Sequence, residues 1–360
     1  MENYVVSARK YRPQTFEDVV GQASITKTLD NAISSNHLAQ AFLFTGPRGV
    51  GKTTCARILA KKINTSEDHE GDDDFSFNIF ELDAASNNSV DDIRHLIDQV
   101  RIPPQVGNYR VYIIDEVHML SASAFNAFLK TLEEPPPHAI FILATTEKHK
   151  ILPTILSRCQ IFDFKRIEIP DIIQQLEEIG KQEKVKAEHD ALHIIAQKAD
   201  GAMRDALSIY DQIVSFCGND IKYQDVIENL NVLDYDYYFR ITDAIHKNDI
   251  PQSLLIFNEV LDKGFDGHNF ISGLSEHFRN LLVCKNPETL ELLLVGENIK
   301  DKYRQQAELL TGEELLFALR ITSKCDIQFK ASKNQRLLVE ITLMQLCSIT
   351  EAVEKKSPVN

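Results

Sequence analysis

The stretch GPRGVGKT, residues 46–53, constrains this chain more than any other. It follows the apolar run AFLFT and opens a segment of helical composition. Glycines at 46, 49 and 51 permit backbone angles closed to other residues, so the peptide N–H groups of a tight loop can converge on one anion. In this strand–loop–helix setting the pattern G-x-x-x-x-G-K-[ST] is a phosphate loop, and the helix N-terminus adds partial positive charge. Lys52 would reach the β- and γ-phosphates of a nucleoside triphosphate, and Thr53 would give a hydroxyl ligand to Mg²⁺. The candidate cradle comprises Gly46, Pro47, Arg48, Gly49, Val50, Gly51, Lys52, Thr53 and Thr54.

A strand before a phosphate loop implies further strands beside it. Apolar runs recur at 79–84 (IFELDA), 110–116 (RVYIIDE), 139–146 (AIFILATT) and 160–164 (QIFDF), with helical segments at 52–63, 89–100 and 121–133. Continuous rather than alternating apolarity predicts strands covered on both faces, as in a parallel sheet wrapped by helices. The fold class is therefore α/β: a phosphate-loop domain with a five-stranded parallel sheet, followed by helical regions. Residues 1–166 are the expected nucleotide-binding core, 167–229 a helical lid and 230–356 an all-helical domain. In the last of these Leu337, Ile341 and Met344 recur at i, i+4, i+7, the spacing of one buried helix face. Two readings fit them: the interior of a bundle, or a face shared with other subunits.

Other residues carry candidate chemistry. VYIIDEVH, 111–118, ends an apolar strand in two acids: Asp115 would complete the Mg²⁺ shell, and Glu116 would orient and deprotonate the attacking water. His118 has no evident duty and reads as structural. Thr145 or Thr146, at the end of the next strand, would touch the γ-phosphate or the lytic water, although threonine is also an ordinary strand residue. Arg204, in GAMRDALS, would fold over the nucleotide as a helical lid closes; the bland alternative is a surface arginine. Arg158, in PTILSRCQIF, stands on the flank of the domain and would serve a γ-phosphate held by a neighbouring molecule.

Bulk properties narrow the partners. Net charge is −14, so the surface does not attract nucleic acid as a whole, and DNA binding would need a local patch assembled from several copies. Six scattered cysteines without a CxxC pair argue against a zinc knuckle or a disulfide framework. With neither an apolar span nor a secretion signal, a cytoplasmic protein with no membrane partner is expected. The acidic stretch NTSEDHEGDDDFSFN, 64–78, lacks periodicity and reads as a surface loop.

In this order, YRPQTFEDVVGQ (11–22), GPRGVGKT, ELDAAS (81–86), VYIIDEVHMLS (111–121), FNAFLKTLEEPP (125–136), FILATTE (141–147), LPTILSRC (152–159) and GAMRDALS (201–208) resemble the gamma/tau subunits of the bacterial DNA polymerase III clamp loader, within the AAA+ ATPases. The similarity runs over about residues 4–350. It implies a pentamer held by a helical collar (about 231–350), with ATP and Mg²⁺ bound between subunits. The expected partners are the delta and delta-prime subunits, further copies of this chain, a sliding clamp and primer-template DNA. ATP binding would open the clamp, and hydrolysis triggered by DNA would release it.

Residue by residue, the resemblance implies Walker roles for Lys52, Thr53, Asp115 and Glu116. Thr146, less surely Thr145, would be the first sensor, Arg204 the second, and Arg158 the finger reaching the adjacent subunit's ATP. Tyr11, Arg12 and Pro13 are candidates for enclosing the adenine. Asn87, Asn88, Ser89 and Arg94, in the loop after the second strand, are candidate DNA contacts.

Two departures stand out. The family usually carries a four-cysteine zinc module where 64–78 stands here without any cysteine, so no zinc is predicted. The sequence ends at KKSPVN, and either a gamma-length form or a piece of a longer chain is expected. Two rival readings are a non-catalytic scaffold like delta-prime, whose phosphate loop is usually degenerate, and an AAA+ ATPase acting on proteins or branched DNA.

Overall fold

The computed structural model describes residues 5–65, 75–105, 107–293 and 295–349. Residues 66–74 of the acidic stretch and the terminal KKSPVN lie outside the described residues. The chain divides into two compact units, Met1–Ala187 with Ile195–Asp220, and Glu188–Ile194 with Ile221–Asn360.

The first unit is built on β1 (Ala41–Thr45), β2 (Ile79–Asp83), β3 (Arg110–Asp115), β4 (Ala139–Thr145) and β5 (Gln160–Asp163). The strands pair in parallel in the order β2-β3-β4-β1-β5. β1 and β4 are buried along their whole length, which is why their sequences are apolar without alternation. The edge strands β2 and β5 are only partly buried.

Successive side chains go to opposite faces of the sheet. Phe42 and Phe44 of β1 pack with Ile25 and Leu29 of α2 (Ala23–Ser34) and with Ala56 and Leu59 of α3 (Lys52–Asn64). Leu43 lies on the other face with Ile93 and Leu96 of α4 (Val90–Val100), Phe125 and Phe128 of α5 (Ala122–Glu133) and Ile155 of α6 (Pro153–Leu156). A Ser89–Asp92 capping box starts α4, Ser121 caps α5, and α5 ends just before the three prolines 135–137. A short N-terminal turn, α1 (Ser7–Lys10), and the helices α7 (Ile169–Glu183) and α9 (Met203–Cys217) complete this unit.

Between the last two run β6 (Lys186–Ala187) and α8 (His189–Lys198), and after α9 comes β7 (Asp220–Ile221). The second unit carries α10 (Tyr223–Asn229), α11 (Tyr235–His246), α12 (Ile250–Asp262), α13 (Gly267–Val283), α14 (Glu297–Ala307), α15 (Gly312–Phe329) and α16 (Gln335–Leu346). Its core is largely apolar, with a few buried hydroxyls such as Thr242, Ser253 and Thr322 and a polar network around His277, which is about 1% exposed. The Nε2 of His277 donates to Gln306 Oε1 (2.9 Å), and its Nδ1 lies 3.0 Å from the Tyr303 hydroxyl. The Gln306 amide donates to Phe239 O and Asp243 Oδ1, which fixes its orientation and hence the Nε2–H tautomer of the histidine.

The bundle-interior reading of α16 is corrected here. Leu337, Ile341 and Met344 are 46%, 42% and 37% exposed, while Val339, Thr342, Leu343 and Leu346 form the buried face. Both stripes recur at helical spacing, so periodicity did not say which one faced inward. Leu316 and Ile327 of α15 are likewise exposed large apolar residues. Among the described residues no helix is long and apolar enough to cross a membrane.

Candidate nucleotide site

The strand order brings the carboxyl ends of β3, β4 and β1 side by side, where open parallel sheets bind ligands. A cavity of about 800 Å³ lies there, lined by Arg48–Thr54, Asp115, Glu116, Tyr11, Arg12, Pro13 and Arg204 among others. Nearly all the expected nucleotide residues therefore meet in one place, inside one unit.

The loop glycines are required by geometry. Gly46, Gly49 and Gly51 have φ of 140°, 77° and 103°. A Cβ on Gly46 would stand 2.3 Å from the carbonyl oxygen of Phe164, and one on Gly49 2.9 Å from the Cβ of Ala202. The loop is thus pressed against β5's exit on one side and the start of α9 on the other.

Lys52, about 6% exposed, turns its ammonium back onto the loop, donating to Gly46 O (2.8 Å) and Pro47 O (2.7 Å). Burial lowers its pKa, opposed by the nearby charges of Glu116 and Asp115. A buried ammonium whose hydrogen bonds go to loop carbonyls is poised for an anion: a phosphate entering the cradle would give it a charged hydrogen-bond acceptor. Thr53 donates its hydroxyl to Asp115 Oδ2 at 2.7 Å, which joins α3 to the tip of β3. A hydroxyl and a carboxylate oxygen are hard donors, and beside a phosphate site they fit Mg²⁺, which keeps several waters and takes few protein ligands.

Glu116 follows Asp115 in the left-handed region (φ 48°, ψ 43°), a conformation that bulky residues hold only where the surroundings insist on it. Its Oε2 accepts from Thr146 N (3.2 Å) and Thr146 Oγ1 (3.0 Å). The two threonines are thereby told apart: Thr146 meets the acid, whereas Thr145 is fully buried and pairs with the His118 Nδ1 at 3.0 Å. That nitrogen is also 3.4 Å from Glu116 Oε2.

The rest of the cavity comes from the N-terminal segment and the helices after the sheet. Arg12 donates through Nε to Thr54 Oγ1 (3.2 Å), and its pKa is lowered by burial first and by Arg57 second. Tyr11 and Lys10 both bind Glu183 on α7, and Ser7 binds Asp211 on α9 through its amide (2.7 Å) and its hydroxyl. Val19, Val20, Ile167, Met203 and Leu207 give an apolar wall. The pins to Glu183 and Asp211 have no local sequence signal, because each pairs residues more than a hundred positions apart. Arg57 lines the cavity too, with a bidentate pair to Glu81 at 2.7 and 2.6 Å. Arg204 is exposed at the cavity rim, its amide near Gly49 O.

Arg158 does not line this cavity. Its guanidinium donates to Thr154 O (2.6 Å), Ser157 Oγ (3.3 Å) and Glu133 Oε1 (2.6 Å) on its own chain. The expected DNA residues also have local duties. Ser89 caps α4, the Asn87 amide donates to Asp83 O (3.1 Å), the carbonyl of Asn88 accepts from Ser121, and Arg94 pairs with Asp91.

Three family models match the chain in succession: DNA polymerase III, delta subunit, over 21–168; DNA polymerase III clamp loader subunit, ATPase lid domain, over 171–219; and DNA polymerase III subunits gamma and tau domain III, over 221–360. The chain is 41% identical to the DNA polymerase III subunit tau of Bacillus subtilis, over 96% of this chain and 63% of that one. It is 32% identical to the subunit gamma of Buchnera aphidicola subsp. Baizongia pistaciae, over 96% of this chain and 98% of that one. It thus spans under two thirds of the tau relative. A RuvB variant from Thermotoga maritima shares the fold, with a TM-score of 0.51 and 19% identity over 66% of this chain and 79% of that one.

Proposed function

The chain belongs to the gamma/tau family of DNA polymerase III clamp-loader subunits, and from that premise we propose that it is an ATPase subunit that loads a sliding clamp onto primed DNA. ATP is the substrate, seated with its phosphates on Gly46–Thr54 and its adenine against the apolar wall near Tyr11, Arg12 and Pro13. Lys52 leaves its own loop carbonyls for the β- and γ-phosphates. Thr53 and Asp115 would hold Mg²⁺, which would supply neutralisation of the phosphate charge. Glu116 takes the proton of the attacking water, Thr146 reports the γ-phosphate to it, and Arg204 closes over the nucleotide with α9.

Arg158 completes the site of a neighbouring subunit. The support is its placement: it is absent from the lining of its own chain's cavity, and its guanidinium, bonded to Thr154 O, Ser157 Oγ and Glu133 Oε1, is a partly exposed cation that a triphosphate could draw away. The second unit is the assembly domain. Leu337, Ile341 and Met344, too large to leave uncovered as a stripe, are the face its neighbours occupy. The partners are the delta and delta-prime subunits, further copies, the clamp, and primer-template DNA touched by Arg94, Asn87, Asn88 and Ser89 from several subunits at once. ATP binding opens the clamp, and hydrolysis triggered by DNA releases it closed.

The observation that carries this reading is the Thr53–Asp115 hydrogen bond beneath an intact phosphate loop, with Glu116 next to it. The test is ATP turnover by the assembled complex, with and without clamp and primed DNA. Stimulation by both supports the loader, and turnover indifferent to both sinks it.

A further inference from the structure

The side chain at 118 stands at the junction of the acid and the sensing strand. The short turn Val117–Met119 begins at Glu116 and curls beneath the end of β4. His118 is held in it with a side chain only 7% exposed, so its imidazole has little freedom to swing. One ring nitrogen, Nδ1, lies 3.0 Å from Thr145 Oγ1 and 3.4 Å from Glu116 Oε2. Thr145 Oγ1 is fixed in turn, because it accepts the amide of Glu147 at 3.0 Å.

We propose that His118 is a positioning residue for Glu116, fastening the turn that carries the carboxylate to the end of β4 through Thr145. Glu116 leaves the strand in a left-handed conformation, so strand pairing does not set the direction of its side chain. Thr146 supplies two donors to one carboxylate oxygen, but both lie at the end of β4, so neither holds the turn from which the carboxylate projects. The imidazole is hydrogen-bonded to the fully buried Thr145 hydroxyl through Nδ1, which leaves that nitrogen 3.4 Å from the same carboxylate oxygen. The two threonines therefore have separate duties, Thr146 meeting the carboxylate and Thr145 anchoring the group behind it. A misplacement of about 1 Å at a reacting group costs up to about 10²-fold in rate, so a supporting side chain of this kind is visible in turnover while leaving binding alone.

This inference rests on the assignment of Glu116 as the base, and the experiment separates the two. Turnover by the assembled complex and affinity for a labelled ATP analogue are measured for wild type, Glu116→Gln, His118→Ala, His118→Gln and His118→Asn. Asparagine places a polar atom near the Nδ1 position, and glutamine places one near Nε2. The expected result is a fall in kcat of about 10–10²-fold for His118→Ala and His118→Gln, with affinity within about twofold of wild type and most of kcat restored in His118→Asn. Three results overturn the positioning role: unchanged kcat in His118→Ala, no rescue by asparagine, or affinity falling in step with turnover. Unchanged turnover in Glu116→Gln removes the base itself, and the role of His118 with it.

Discussion

The two units solve opposite problems. The first gathers charge around a polar cavity and tolerates unusual backbone to do it, with Gly46, Gly49, Gly51 and Glu116 all at positive φ. The second buries a largely apolar core, holds a polar network at His277, and leaves large apolar side chains pointing outward. Chemistry in the first would depend on residues that break local rules. Assembly in the second would depend on residues that obey them. Substitutions in the first should therefore change rates with little change in stability, and those in the second should do the reverse.

The strongest way to break that contrast is Arg158→Ala, which should slow ATP turnover by about 10³–10⁵-fold in the assembled complex and leave nucleotide affinity near wild type. Loss of affinity in the same variant would mean that the arginine serves its own cavity. Glu116→Gln should cost about 10²–10⁴-fold in hydrolysis, measured as steady-state phosphate release, with a labelled ATP analogue still bound. In the second unit, Leu343→Ala should cost about 2–5 kcal/mol in denaturant unfolding, because the side chain is fully buried. Ile341→Ala, on the opposite face of the same helix, should stay within about 0.5 kcal/mol and show instead as weaker assembly by mass in solution. If the two variants unfold alike, α16 has no outward face.

His277 gives the pH test. Burial pushes its pKa down from the ordinary value to about 3. The unfolded chain therefore takes up a proton near pH 6.5 that the folded chain refuses. Its contribution is intact above pH 6.5 and falls by about 1.4 kcal/mol per pH unit down to about pH 3, where the loss levels off. The difference in unfolding free energy between wild type and His277→Gln should follow that slope. A flat difference would mean that the ring is charged in the fold.

The same contrast explains what could be read in advance. Phosphate loops and acid pairs at strand ends are local patterns, so Lys52, Thr53, Asp115 and Glu116 could be placed from a few residues each, and the strands announced themselves by unbroken apolarity. Choosing between Thr145 and Thr146 needed the register of the turn after β3, which no local pattern contains. The pins of Ser7 to Asp211 and of Tyr11 to Glu183 join distant segments and left no trace in either one. On α16 the sequence offered two apolar stripes of equal spacing, and only packing against the rest of the bundle selected Leu343 over Ile341.

The left-handed backbone at Glu116 has a consequence for any effort to make this chain sturdier. Glycine or asparagine would sit there with less strain, by about 1–3 kcal/mol at most, so a screen that rewards heat resistance alone should recover them early. On the function proposed above, each such winner would have lost the proton acceptor. Selection for toughness and selection for turnover thus pull on one codon in opposite directions.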